Sequence, residues 1–205
     1  MNGDIQEVYD DENFVQRLTP EQIKSRLVDV RVDDEAINIL NSGRQLTEQE
    51  KKELTDIYET TTEKVKVLKV FGMWFIDKRD GQLKYRPLGI AAMGPDPKLI
   101  GRTTPDGQPL PGADELIDLF WVYYPNAREI LANNYVYNRK NTSADLSFDD
   151  LINARRFSSV IFKSSTGLGD GVIKDYIPRD ADEQMEESDR IKAQILQMEN
   201  DMWNY

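Results

Sequence analysis

The chain contains no cysteine and no histidine. The first absence removes disulfides, thiolate nucleophiles and zinc–sulfur sites together. It leaves the compartment open, because exported bacterial proteins often lack cysteine as well. The second removes the side chain whose ordinary pKa lies nearest neutrality, and with it the commonest metal ligand. Acid–base chemistry would fall to carboxylates, lysine or tyrosine. No apolar run approaches the roughly 20 residues that span a bilayer. Met1-Asn2-Gly3-Asp4 does not open a signal peptide either, having no basic start and no apolar middle. A cytoplasmic protein, or a mature or trimmed chain, is expected.

Positive charge is also in short supply. Lysine plus arginine is 26 against 37 acids, so the net charge is 26 − 37 = −11. Such a surface repels phosphate backbones and anionic membrane faces, so neither nucleic acid nor a membrane is expected as partner. What is present is a core-forming 39% of apolar and aromatic residues in 205, enough for one domain with arms.

Residues 1–18 read as an acidic arm anchored by Phe14 and Leu18. Thr19-Pro20-Glu21-Gln22 is a capping box with proline at the first helical position, and predicts a short helix over about 20–28. Residues 29–46 are expected to be a loop with a short strand. Thr47 to Glu50 is a second capping box, predicting a helix that carries Leu54, Ile57 and Tyr58. The clearest strand signal spans 62–93, with Asp80-Gly81 supplying a hairpin turn and Pro87 belonging at an edge or bulge. Between 94 and 114 nine of 21 residues are Gly or Pro, which makes a flexible loop.

The stretch DLFWVYYP (118–125) follows. Its alternation points Leu119, Trp121 and Tyr123 to one side and Phe120, Val122 and Tyr124 to the other. Both faces are apolar, so both need a cover, either from the protein's own core or from a second protein. Trp121 is assigned to the core. Asn126 is expected to cap a helix, Tyr135 to Tyr137 to form a short strand, and Ser147 to open a helix through Leu151, Ala154, Phe157 and Ile161. SSTGLGDG (164–171) lacks the Gly-Lys-Ser/Thr ending of a phosphate loop and reads as a linker. A polar helix from about 182 carries Ile191, Ile195, Met198 and Met202.

These elements add up to an α+β fold: a small antiparallel sheet on the 65–93 hairpin and the 119–124 strand, packed helices, and a peripheral C-terminal helix. The expected division is 1–18 arm, 19–180 core, 181–205 helix. Acidic clusters at Asp33 to Glu35, Asp149-Asp150 and Asp180 to Glu183 lack calcium-loop spacing and suit solvated helix starts. No metal, cofactor or catalytic residue is assigned. Paired carboxylates for glycan hydrolysis are an alternative that any acidic chain could suggest.

LFWVYYPNAREILANNYVYNRKN, followed by SFDDLINARRFSSVIFKSS, resembles the GldN/PorN family of the gliding-motility and type IX secretion machinery of Bacteroidetes. The hairpin WFIDKRDGQLKYRPLGIA and the ending SDRIKAQILQMENDMWNY are similar to that family's pattern too. The FxxxLTPEQI stretch fits it more loosely. The resemblance implies a periplasmic, non-enzymatic protein that forms a ring with an outer-membrane GldK/PorK-type lipoprotein. A GldM/PorM-type periplasmic domain is a further expected partner. Family precursors begin with a signal peptide and an additional N-terminal region; this chain is expected to be a trimmed C-terminal portion or a short homologue. Tyr and Arg are enriched at protein interfaces. On that ground Tyr124, Arg128, Tyr135, Tyr137, Arg139, Arg155 and Arg156 are the candidate contact residues.

Overall fold

The computed structural model describes residues 5, 7–43, 47, 50, 54–113, 115–137, 145–166 and 169–202. The chain divides into two units, 1–72 with 87–133, and 73–86 with 134–205. Six helices and four small antiparallel sheets are present among the described residues, an α+β fold as expected.

In the first unit, helix α1 (Pro20–Leu27) begins as its capping box predicts. Thr19 N–H donates to Gln22 Oε1 (2.8 Å), and Gln22 N–H donates to the Thr19 hydroxyl (3.3 Å). Strand β1 (Val28–Val32) follows at once, then helix α2 (Asp34–Asn41), which occupies part of the stretch read as a loop. The second capping box also forms: Thr47 N–H donates to Glu50 Oε2 (2.9 Å), and Glu50 N–H donates to the Thr47 hydroxyl (3.4 Å). Ile57 and Tyr58, however, are not helical. They lie in strand β2 (Thr55–Glu59), antiparallel to β1 with Val30 opposite Ile57. A β-branched partner strand earlier in the chain outweighs the local helix signal.

Strands β3 (Val67–Asp77), β4 (Gln82–Pro95) and β5 (Leu116–Tyr123) form the sheet foreseen from the hairpin and the aromatic run. Gly81 takes φ +60° in the turn. Pro87 lies beyond Gly89–Tyr123, the last pair of the β4–β5 ladder, where β4 has a strand on one side only. Helix α3 (Tyr124–Asn133) starts one residue before Pro125, which sits in its first turn rather than outside a cap at Asn126.

β5 is covered by the protein's own chain. Leu119, Trp121 and Val122 are all buried, Trp121 to 2% exposure. Tyr9 exchanges two backbone hydrogen bonds with Trp121 (2.8 Å each), closing the outer edge of β5. Tyr9, Ala91 and Trp121 form a core cluster on which Phe14 and Phe71 pack. The Phe14 ring meets Tyr9 and Tyr123 edge-on (5.4 and 5.3 Å). It fills the space above Gly89, where a Cβ would collide with it. Lys69 pairs with Asp118 (2.6 Å), whose second oxygen accepts from Trp121 Nε1 (3.3 Å). Arg26 holds α1 to this assembly, pairing with Asp10 and donating to the Leu119 carbonyl.

The 96–113 loop is threaded by backbone turns, including Thr104 N–H to Gln108 O (2.7 Å) and Leu110 N–H to Arg102 O (3.2 Å). Arg31 reaches it with bonds to the carbonyls of Pro97 and Lys98.

The second unit holds the β3–β4 hairpin tip, a two-residue ladder of β6 (Tyr135–Val136) with β7 (Leu146–Ser147), and helix α4 (Phe148–Asn153). Ser147 caps α4 by accepting from Asp150 N–H (3.0 Å). The helix stops at Asn153 instead of running on to Ile161. SSTGLGDG is not a bare linker: β8 (Lys163–Thr166) and β9 (Gly169–Val172) make a hairpin from it. A short helix α5 (Ile173–Tyr176) leads to the long α6 (Ala181–Met202). Ser188 is fully buried on α6 and accepts from Ile161 N–H (2.8 Å). Ile191, Ile195 and Met202 are half-buried, while Met198 is exposed.

Trp121→Ala should lower the free energy of unfolding by about 3–5 kcal/mol, the usual cost of removing a buried indole. Urea denaturation followed by circular dichroism measures it.

Candidate protein interface

The candidate contact residues fall in different places. Tyr124, at 3% exposure, belongs to the core of the first unit, so the contact expectation does not extend to it. Tyr124 and Ala127 mark the buried side of α3, while Pro125 and Asn126 between them are exposed, and sequence enrichment in Tyr cannot see that. Arg128, on the same helix, is exposed. In the second unit Tyr135, Tyr137, Arg155 and Arg156 are all exposed, Tyr137 to 79%. Arg139 lies outside the described residues.

Arg155 has the most specific local structure. It takes φ +51° immediately after α4. Its N–H donates to Ile152 O (3.1 Å), and that of Arg156 to Leu151 O (3.0 Å), the paired bonds of a Schellman ending. Glycine usually occupies such a position, because a Cβ in the left-handed region is crowded. Arginine is held there by what its side chain touches. The guanidinium lies 4.5 Å from the Trp74 ring centroid and 5.0 Å from that of Tyr85. The two rings are themselves 5.3 Å apart. Burial pushes the Tyr85 phenol up, with Arg155 opposing, so the ring stays neutral beside the cation.

Trp74 and Tyr85 stand on the hairpin tip, so this stack fixes the tip to the segment after α4 within the second unit. Neither aromatic was picked from the sequence as a partner of Arg155; no spacing rule links them. At the end of the hairpin, Lys84 Nζ reaches Asp77 (2.8 Å) and Asp80 (2.6 Å). The hydrogen bond from Lys84 holds the Asp77 carboxyl below the usual carboxylate range.

The surface around these groups offers aromatic and basic side chains suited to protein contact. Among the described residues no three Asp or Glu side chains gather in a way that could hold a metal ion. No helix there is long and apolar enough to cross a membrane.

The family described as gliding motility associated protein GldN matches residues 1–204. No curated protein matches the chain.

Arg155→Ala should destabilise the protein by about 0.5–1 kcal/mol, the worth of an exposed cation–π stack. Arg155→Gly should recover that loss in full or exceed it, since it relieves a left-handed residue of about 1–2 kcal/mol of crowding. Urea midpoints of the two variants, compared with the parent, read the difference. The Asp77 pair has a pH signature as well. A depressed carboxyl contributes stability that is present above its unfolded pKa of about 3.9 and lost as pH falls through the lower folded value. An NMR titration of the Asp77 side chain should find its midpoint below about 3.9, moving back up in Lys84→Met.

Proposed function

The chain belongs to the GldN family of gliding motility associated proteins, and from that membership we propose that its work is non-enzymatic assembly within the type IX secretion and gliding machinery. On this reading it joins a GldK/PorK-type outer-membrane lipoprotein in a periplasmic ring, and a GldM/PorM-type periplasmic domain approaches the same ring. The observation that carries the reading is the family match along residues 1–204. The residue inventory agrees with it: a chain without histidine or cysteine has few means of breaking bonds near neutral pH. Its exposed tyrosines and arginines are instead of the kind that anchor protein contacts.

A ring needs two different surfaces on each subunit, because a head-to-tail contact must repeat until it closes. Tyr135, Tyr137, Arg155 and Arg156, all on the second unit, are assigned to the lipoprotein-facing surface, with Arg128 and Arg139 retained as separate candidates from their place in the motif. Tyr137 and Arg156 test it best, being exposed and free of any core role. The double variant Tyr137→Ala/Arg156→Glu should weaken binding to the lipoprotein by about 30-fold or more, the loss of a hot spot of about 2 kcal/mol. Calorimetry measures the affinity, and an unchanged far-UV spectrum shows that folding is intact. Undiminished binding removes these residues from the surface. A parent protein that ignores the lipoprotein yet cleaves a cell-wall glycan removes the reading itself.

A further inference from the structure

The β1–β2 ribbon is packed with its polar side inward. Arg31 Nε pairs with Asp29 (2.8 Å), and its guanidinium lies 4.0 Å from the Tyr58 ring centroid. Nη2 donates to the carbonyls of Pro97 (3.0 Å) and Lys98 (3.1 Å). Strand alternation therefore turns Val28, Val30 and Val32 the other way, with Ile57 opposite Val30. Val30 is 55% exposed and Ile57 62%.

The backbone of β1 is one-sided too, since β2 is its one strand neighbour among the described residues. Thr60 N–H donates to Leu27 O (2.7 Å), and Asp33 N–H to Leu54 O (2.9 Å). With the register 28↔59 to 32↔55, these bonds mark odd-numbered residues of β1 as those facing β2. The N–H and C=O groups of Val30 and Val32, and the C=O of Val28, then face away from it. Val28 N–H is taken by Lys24 O. VDVRV has no proline and no lysine, two of the devices that blunt an edge, and its charges Asp29 and Arg31 are paired with each other on the packed side.

The same five residues are complementary to themselves. Turned antiparallel about Val30, a second VDVRV sets Val30 against Val30 and Val28 against Val32. Asp29 then stands opposite Arg31 of the other copy, twice. Val30 exchanges both its bonds with its equivalent, and Val32 N–H reaches Val28 C=O in each direction. The two-fold axis falls on a residue whose groups point outward, as an antiparallel ladder requires. No like charges stand opposite each other in this register, and Asp29 and Arg31 keep their pairing within each copy.

We propose that two copies of this chain associate through β1, their ribbons joining edge to edge as one four-stranded antiparallel sheet. This contact goes beyond the ring reading and does not rest on it, since it is isologous and closes on itself. A five-residue edge is small beside the about 800 Å² per partner of stable interfaces, so the pair should form in a concentration-dependent way.

Sedimentation equilibrium of the full chain over a concentration series tests the proposal. The parent should move from monomer toward twice the mass, and Val30→Lys, which sets two ammonium groups across the axis, should stay monomeric. So should Val30→Pro, which removes an N–H that β2 does not use. Ile57→Lys, on the same face but off the edge, should associate like the parent. Val30→Cys introduces the only thiol, about 5.5 Å between Cα atoms from its equivalent in such a pair, within disulfide reach. On oxidation it should cross-link, whereas Val15→Cys should not. A parent that is monomeric throughout overturns the proposal. So does association that survives both Val30→Lys and Val30→Pro, or that is lost in Ile57→Lys. Equal cross-linking of the two cysteine variants overturns it as well. If Val30→Pro fails to fold, Val30→Lys and Val30→Cys decide.

Discussion

A strand with apolar side chains on both faces has to be covered twice, and much of the first unit follows from meeting that demand at β5. Each side chain the size of leucine or valine is worth about 1.5–3 kcal/mol when taken out of water, so an uncovered face of β5 would be a large fraction of the stability of a domain. Phe14 and Phe71 pack on the cluster that Trp121 forms with Tyr9 and Ala91, and α1 lies against β5. The edge matters as much as the faces. An outermost central-type strand would leave Trp121 N–H and C=O unpaired beneath aromatic rings, and Tyr9 satisfies both. The acids of the N-terminal stretch do not keep it in solvent, because Glu7 and Asp10 are matched by Arg17 and Arg26. A stretch that composition marks as an arm thereby bridges to β5 at Tyr9.

Features whose cause lies within four residues could be read from the sequence. The Thr19 box, the Asp80-Gly81 turn and the Ser147 cap are such cases, since backbone and side chain satisfy each other locally. Features whose cause lies across the fold could not. TDIYE follows a capping box that forms, and its strand character comes from VDVRV. α4 ends at Asn153 because Arg155 accepts a left-handed backbone, and the aromatic rings that hold it there stand on another hairpin. SSTGLGDG has turn composition, and its two halves find each other as strands. Among the candidate contact residues, Tyr135 and Tyr137 are exposed, in the short segment after α3. Tyr124 was misplaced because one residue's step around α3 separates core from solvent.

The polar side of the ribbon shows how a charged residue can serve as core. Burying Arg31 would be costly were its donors unmet. Asp29 takes one, two loop carbonyls take others, and the Tyr58 ring receives the face of the cation. The loop gains in the same exchange, because the carbonyls of Pro97 and Lys98 find donors that a Gly- and Pro-rich stretch cannot provide for itself. Gly101, at φ +72°, brings the loop against the Tyr58 ring, where a Cβ would come within 3.1 Å. The aliphatic side chains of β1 face outward as a direct result, since alternation allows no other arrangement.

The two sheets thus treat their margins oppositely, and the charge of the chain acts differently on each. At β5 the chain itself meets the margin, Tyr9 pairing with Trp121. At β1 the backbone groups remain available among the described residues. Long-range repulsion between chains of net charge −11 opposes any encounter there. That repulsion is screened over about 8 Å at physiological ionic strength, whereas the backbone groups and valines of β1 act at contact distance. Edge and field therefore work on different length scales: the field sets how often two copies meet, and VDVRV sets what holds once they have. A chain built this way stays dispersed when dilute and pairs where something else has already concentrated it.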